Sequence, residues 1–295
     1  MKLLSRLLGA VAFVAAALAP AVTPAGAQGG SRKVDLELVL AVDISQSMDQ
    51  DEHALQRNGY VDAFRHKDVI NALMSGPEGK IAVVYMEWAG DFEPVVTIPW
   101  TIIDSPEAAH NFADKLANEP VFGEQRTSIS NALISATKLI EQNDIVSHRQ
   151  VIDVSGDGAN NAGPLVEPVR DEVVQKHKIV INGLPIMLGK PMEFYDIPHL
   201  DRYYKDCVIG GPSAFIAPVF ELKQLAATIR KKLVLEIAGL EIEPGAAPVQ
   251  FAEAPQKAGV QLAQLKLPTE KYDCTAGEKV WGGGRGFGGY RNFPQ

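Results

Sequence analysis

Residues 34–43, VDLELVLAVD, alternate between polar and apolar and then run without a break through Val39-Leu40-Ala41-Val42. Such a run suits a central strand of a parallel sheet, covered on both faces by helices. The rest of the chain supplies neighbours of the right kind. A helix follows from Asp49 or Asp51, acidic in its first turn, with Ala54, Val61 and Phe64 on one face. Lys80 to Trp88 and Pro94 to Trp100 read as strands flanking a short turn at Gly90-Asp91, and the tight spacing predicts a hairpin with one antiparallel strand. Ser105-Pro106-Glu107 opens a helix with an N-cap and a proline at its first position.

From Ser128, the residues Ile129, Leu133, Ala136 and Ile140 form the stripe of an amphipathic helix laid on a sheet. Gln150 to Val154 and Lys178 to Leu184 are further strands, separated by a helix around Val166 to Gln175. Tyr203 to Ile209 reads as a last strand, and Val219, Leu222, Ala226, Ile229 and Leu233 mark a closing helix. Strands alternating with helices predict an α/β fold: a doubly wound, mostly parallel central sheet with one antiparallel edge strand and helices on both faces.

The ends of the chain read differently. Lys2 and Arg6 precede the apolar run Leu7 to Val22, and Ala25-Gly26-Ala27 offers small residues for a signal peptidase, so residues 1–27 are expected to be a cleaved secretory signal. Cleavage before Gln28 removes two basic residues and no acidic one, which moves the net charge from −8 to −10. An acidic balance of that size argues against a nucleic-acid partner. No other apolar run approaches the ~20 residues a membrane span needs, so the expected location is periplasmic or secreted. Residues 28–33 form a short linker, 34–237 the domain, 238–281 an extension rich in proline, alanine and glutamine, and 282–295 a glycine-rich tail. Export makes Cys207 and Cys274 a candidate disulfide pair, against the alternative of two free thiols.

In an open parallel sheet, ligands bind beyond the carboxyl ends of the strands. Three segments place polar residues there. Asp43, Ser45 and Ser47 leave the first strand at every second position, so their oxygens can converge. Thr127 precedes the amphipathic helix, and Asp157 follows the QVIDV strand between Gly156 and Gly158. Five hard oxygen donors and no soft ones select Mg²⁺, or Mn²⁺ or Ca²⁺, over zinc or copper.

The D-x-S-x-S run, the threonine before a helix and the aspartate in a glycine turn, in this order, resemble the metal-ion-dependent adhesion site (MIDAS) of von Willebrand factor A (vWA) domains. More narrowly, DISQSM, RTSIS-NAL, IDVSGDGANNAG and YYKDCVIGGPSAF resemble a bacterial family of A-like domains of unknown function. The resemblance spans roughly Val34 to Leu233. It implies that Ser45, Ser47 and, with ligand engaged, Thr127 bind the metal directly, while Asp43 and Asp157 act largely through water. Neutral hydroxyls around the cation leave it able to accept a carboxylate from a protein partner. One departure is Ser155-Gly156 before Asp157, where many A domains carry Thr-Asp-Gly.

Enzyme signatures are missing from the sequence. It holds no G-x-S-x-G elbow, no H-E-x-x-H helix and no glycine-rich phosphate loop after the first strand, and its six histidines lack ligand spacing. The enzymatic alternative is a Mg²⁺-dependent phosphohydrolase with Asp43 as nucleophile. Such enzymes place a second aspartate two residues on, where this chain has Ser45. The non-enzymatic alternative is a scaffold domain with a vacant metal site.

Overall fold

The computed structural model describes residues 32–90, 94–188, 197–239 and 270–282. The expected signal segment 1–27, most of the linker expected at 28–33, Asp91 of the hairpin turn, most of the 238–281 stretch and the residues from 283 onward lie outside the described residues.

Five strands form one sheet in the order β3-β2-β1-β4-β5. β1 (Lys33–Asp43) lies at its centre, paired in parallel with β2 (Ile81–Trp88) and β4 (Val146–Gly156). β5 (Val180–Pro185) adds in parallel to β4, and β3 (Val95–Ile103) runs antiparallel along β2. The expected mostly parallel sheet with one antiparallel edge is therefore the observed one. Alternate residues of β1 feed two cores. Leu36, Leu38, Leu40 and Val42 pack on one face with α1 (Gln50–Arg65), α2 (Lys67–Leu73), α3 (Pro106–Asn118) and α7 (Leu225–Ala238). Val39 and Ala41 pack on the other with α4 (Ile129–Glu141) and α5 (Val166–Gln175).

Local chemistry fixes the helix starts. Asp49 and Glu52 form a reciprocal capping box on α1, Ser105 caps α3 with Pro106 at its first position, and Ser128 caps α4. Gly59 lets α1 and α7 meet closely, because a Cβ there would stand 2.6 Å from Ile229 Cδ1.

Two expectations need correction. Tyr203 to Ile209 is not a strand: α6 (Leu200–Tyr203) runs into a π-helical turn, Tyr204–Val208. The reason is visible in burial, since Tyr203, Tyr204, Cys207 and Val208 are all buried, a helical rather than an alternating spacing. Residues beyond it cover the free side of β5 through isolated bridges from Gly210, Ile216 and Val219 to Ile181, Gly183 and Ile186, which shields an otherwise open sheet edge. The closing helix begins only at Leu225. Val219 is extended, Leu222 and Ala226 are exposed, and the buried stripe is Leu225, Ile229 and Leu233, joined by Lys232 and Glu236.

Residues 270–282 return to the body of the domain. Cys274 is bonded to Cys207 with Cα atoms 5.4 Å apart, and a short helix, α8 (Ala276–Gly282), follows.

Candidate metal centre

The carboxyl ends of β1 and β4 lie side by side, with Val42 opposite Ser155, at the place where chain connections leave β1 in opposite directions. Asp43 ends β1 and is wholly buried. Its Oδ1 accepts the Ser45 N–H at 2.7 Å, which turns the chain so that the Ser45 and Ser47 hydroxyls stand 2.9 Å apart. Ser47 then donates to Asp157 Oδ1 at 2.6 Å. Burial falls outward across the set, from Asp43 and Ser45 through the half-buried Asp157 to the exposed Ser47, so the cluster opens to solvent on one side.

Thr127 belongs to the same place. A Cβ built on Gly158 would lie 3.3 Å from its hydroxyl oxygen, a tight approach that places the Asp157 turn directly against Thr127. Two neighbouring asparagines hold the turn there. Asn161 accepts the Thr127 N–H through Oδ1 at 3.0 Å and donates its own N–H to the Thr127 carbonyl at 2.8 Å. Asn160 Oδ1 accepts the Ser130 N–H at 3.0 Å in the first turn of α4. The preceding loop is pinned to the segment that leaves β1 as well, since Gln46 N–H donates to the Glu124 carbonyl and Glu124 N–H to that of Ile44, each at 2.8 Å. Arg126 adopts the left-handed region at φ 65°, unusual for a non-glycine residue and located directly before Thr127. Gly90 permits it, because a Cβ there would stand 2.7 Å from Arg126 Cβ.

The electrostatics of Asp43 decide what this arrangement can hold. Burial, and then the charge of Asp157, push its carboxyl well above the ordinary carboxylate range, with the Ser45 hydroxyl and the Ser45 and Asp157 N–H groups opposing. Asp43 Oδ2 is buried with no hydrogen-bond partner, and it lies 2.6 Å from where a Gly156 Cβ would stand. The buried Tyr204 hydroxyl beside it also lacks a partner. Among the described residues no three His, Cys, Asp or Glu side chains gather at one point, and the candidate donors here are two carboxylates and three hydroxyls. A buried, repelled carboxylate with an unpaired oxygen, surrounded by hard neutral donors, fits a divalent cation. Substituting Gly156→Ala should drive the new methyl against Asp43 and destabilise the protein by about 1–3 kcal/mol through overpacking, which lowers the melting temperature. Thermal denaturation measures it; an unchanged melting temperature contradicts the packing described here.

Below the cluster, His53 donates from Nε2 to the Ser45 carbonyl at 3.0 Å, and burial lowers its pKa, which keeps it a neutral prop for the loop. Arg57 forms a buried pair with Glu87, whose other oxygen accepts from Thr97 Oγ1 at 3.0 Å.

The family described as "Protein of unknown function (DUF1194)" matches residues 33–241. No curated protein matches the sequence. Among solved structures, the pilus adhesin SpaC from Lactobacillus rhamnosus GG superposes with a TM-score of 0.52 at 11% identity, over 69% of this chain and 31% of its own. Proximal thread matrix protein 1 from the mussel byssus gives 0.50 at 14% identity, over 70% and 47%. A von Willebrand factor type A protein from Catenulispora acidiphila gives 0.47 at 13%, over 70% and 43%. The chain spans less than half the length of each of these proteins, and at identities this low the likeness to the first two speaks for the fold alone.

Proposed function

Since the chain belongs to the DUF1194 family, whose description names no activity, and has the fold of a vWA domain, we propose its function from the site itself. It is an exported binding module in which Ser45, Ser47 and Thr127, backed by Asp43 and Asp157, hold a divalent cation that recognises an acidic group on a protein partner. The observation that carries this reading is the unpaired Oδ2 of the buried Asp43, set behind converging hydroxyls. Bound there, a cation would supply a Lewis-acidic position for a carboxylate oxygen. Ser47 and the half-buried Asp157 would stand toward solvent, and the buried Asp43, Ser45 and Thr127 would hold the cation from within.

Burial also bears on the enzymatic alternative. A phosphoryl acceptor must be approached in line by its substrate, and Asp43 is wholly enclosed beneath Gly156 and Tyr204. Export is supported by the signal-like start of the sequence and by the Cys207–Cys274 bond, a pairing suited to an oxidising compartment. Among the described residues no helix is long and apolar enough to cross a membrane.

Calorimetric titration with Mg²⁺ and Mn²⁺ tests the site. The wild-type protein is expected to bind, and Ser47→Ala and Thr127→Ala each to bind at least about tenfold more weakly, a loss of about 1.4 kcal/mol. Equal affinity in all three proteins refutes the assignment. Recognition is tested by capture from periplasmic extract: proteins retained with Mg²⁺ and released by a chelator support it, and retention indifferent to the chelator opposes it.

A further inference from the structure

The C-terminal segment does more than return to the domain. Residues 270–274 are fastened over the turn that follows α6. Tyr272 N–H donates to Asp206 Oδ2 at 2.9 Å, Arg202 donates to the Glu270 carbonyl at 2.9 Å, and Cys274 is bonded to Cys207. From that anchorage α8 runs onto the two loops of the candidate metal centre. Gly277 lies so close to the Asn160 carbonyl that no side chain would fit between them. Glu278 Oε1 accepts from Asn160 Nδ2 at 2.8 Å, and its Oε2 is buried without a hydrogen-bond partner. Trp281 lies against Arg126, whose guanidinium carbon is 5.9 Å from the ring centre.

Asn160 and Arg126 are the two residues through which these contacts act. Asn160 follows Asp157 and fixes the Ser130 N–H, while its own N–H donates to Tyr203 Oη at 3.1 Å. Arg126 directly precedes Thr127 and holds the left-handed backbone that presents it.

We propose that α8, stapled by Cys207–Cys274, is a positioning element of the metal centre, clamping the Asp157 loop through Glu278 and the Thr127 loop through Trp281. Glu278 and Trp281 do not touch the cluster of donors; they act through Asn160 and Arg126. The inference rests on the metal-site reading, but its mechanical half can be measured without metal. A donor set drawn from three separate loops loses affinity when the loops wander, because the ordering cost is then met at each binding event.

The test compares wild type with Glu278→Ala, Glu278→Gln, and the double variant Cys207→Ser/Cys274→Ser, each as the full chain. Amide hydrogen exchange in metal-free protein should quicken about tenfold or more at Thr127, Ser130, Asn160 and Asn161 in Glu278→Ala and in the serine variant, while the β1 and β4 amides keep their protection. Glu278→Gln retains an oxygen for Asn160 and should exchange as wild type does. Mn²⁺ affinity by calorimetry should fall at least about fivefold in the first two proteins and recover in Glu278→Gln. Unchanged exchange in Glu278→Ala overturns the clamp, as does quickened exchange with unaltered affinity. Quickened exchange in a wild-type background that binds no Mn²⁺ upholds the clamp of the loops and refutes the metal reading instead.

Discussion

The substitution Asp43→Asn is expected to make the metal-free protein more stable and to abolish divalent-cation binding. Both effects follow from one carboxylate. Asp43 is wholly buried, repelled by Asp157 and left with an unpaired Oδ2, so its negative charge costs folding energy unless a cation answers it. Asparagine keeps the shape and the Oδ1 that accepts the Ser45 N–H, and it places a donor next to the Tyr204 hydroxyl, which now lacks a partner. Removing the buried charge should add about 2 kcal/mol, or about 4–8 °C in melting temperature for a domain of this size. Because the pKa of Asp43 is raised, the native protein holds a proton there that the unfolded chain releases, and metal-free stability falls as pH rises above the ordinary carboxylate range. The variant should lose that part of the slope. Added Mg²⁺ should raise the melting temperature of the wild type and leave the variant unmoved. A variant less stable than the wild type in the presence of chelator contradicts the account of Asp43.

How much of this was legible beforehand depends on whether a feature is local. The centre of the sheet was, because β1 carries its burial on both faces as an unbroken apolar run. So were the N-cap of α3 and the acidic first turn of α1, which are features within four residues. The spacing of Asp43, Ser45 and Ser47 was legible as a local motif, but their oxygens meet through a turn, with Met48 N–H donating to the Ser45 carbonyl, rather than through extended steps. Tyr203 to Ile209 misled because two tyrosines, a valine and an isoleucine carry strand propensity. Their burial at 203, 204, 207 and 208 is nevertheless a helical pattern, which a count of spacing rather than residue type would have shown.

What could not be read is what joins distant segments. Nothing near Asn160 or Asn161 announces that their side chains pin the Thr127 loop and the start of α4, since those partners lie more than 29 residues away. Glu87 gained its meaning only once β2 and α1 brought it to Arg57. The same holds for α8, whose glutamate answers an asparagine 118 positions earlier. Polar residues inside a fold are paired by topology, and topology is the part of the sequence message that no local pattern carries.

Lys232→Met is expected to be among the most damaging single substitutions outside the metal centre, and to be damaging chiefly at high pH. Lys232 lies on α7 with its ammonium group 2.5 Å from Asp153 Oδ1 of β4 and paired also to Glu236, and all three side chains are buried. Asn182 donates to Glu236 Oε1 at 2.9 Å, and Arg149 reaches the Glu236 carbonyl. One cation thus serves two carboxylates. Burial, and then the charge of Asp153, push Glu236 up to about 7, and burial raises Asp153 as well. A carboxyl that is protonated in the native state and ionised in the unfolded chain gives stability that is present at low pH and lost as pH rises through the native value. For Glu236 that window runs from its ordinary 4.5 to about 7. Methionine fills much of the lysine's volume but leaves the two carboxylates without a counter-charge, a cost of about 3–5 kcal/mol when both are ionised. Urea unfolding should therefore show the full loss at pH 8 and a smaller one at pH 5, where Glu236 holds a proton. Glu236→Gln in the otherwise wild-type chain should flatten the slope between those values, and Asp43 contributes a slope of the same sign to both proteins, so the comparison isolates the α7 cluster. A loss in Lys232→Met that is equal at pH 5 and pH 8 would assign the residue to packing alone. A loss confined to high pH instead identifies Lys232 as the charge that fastens α7 to the strand whose end carries Asp157.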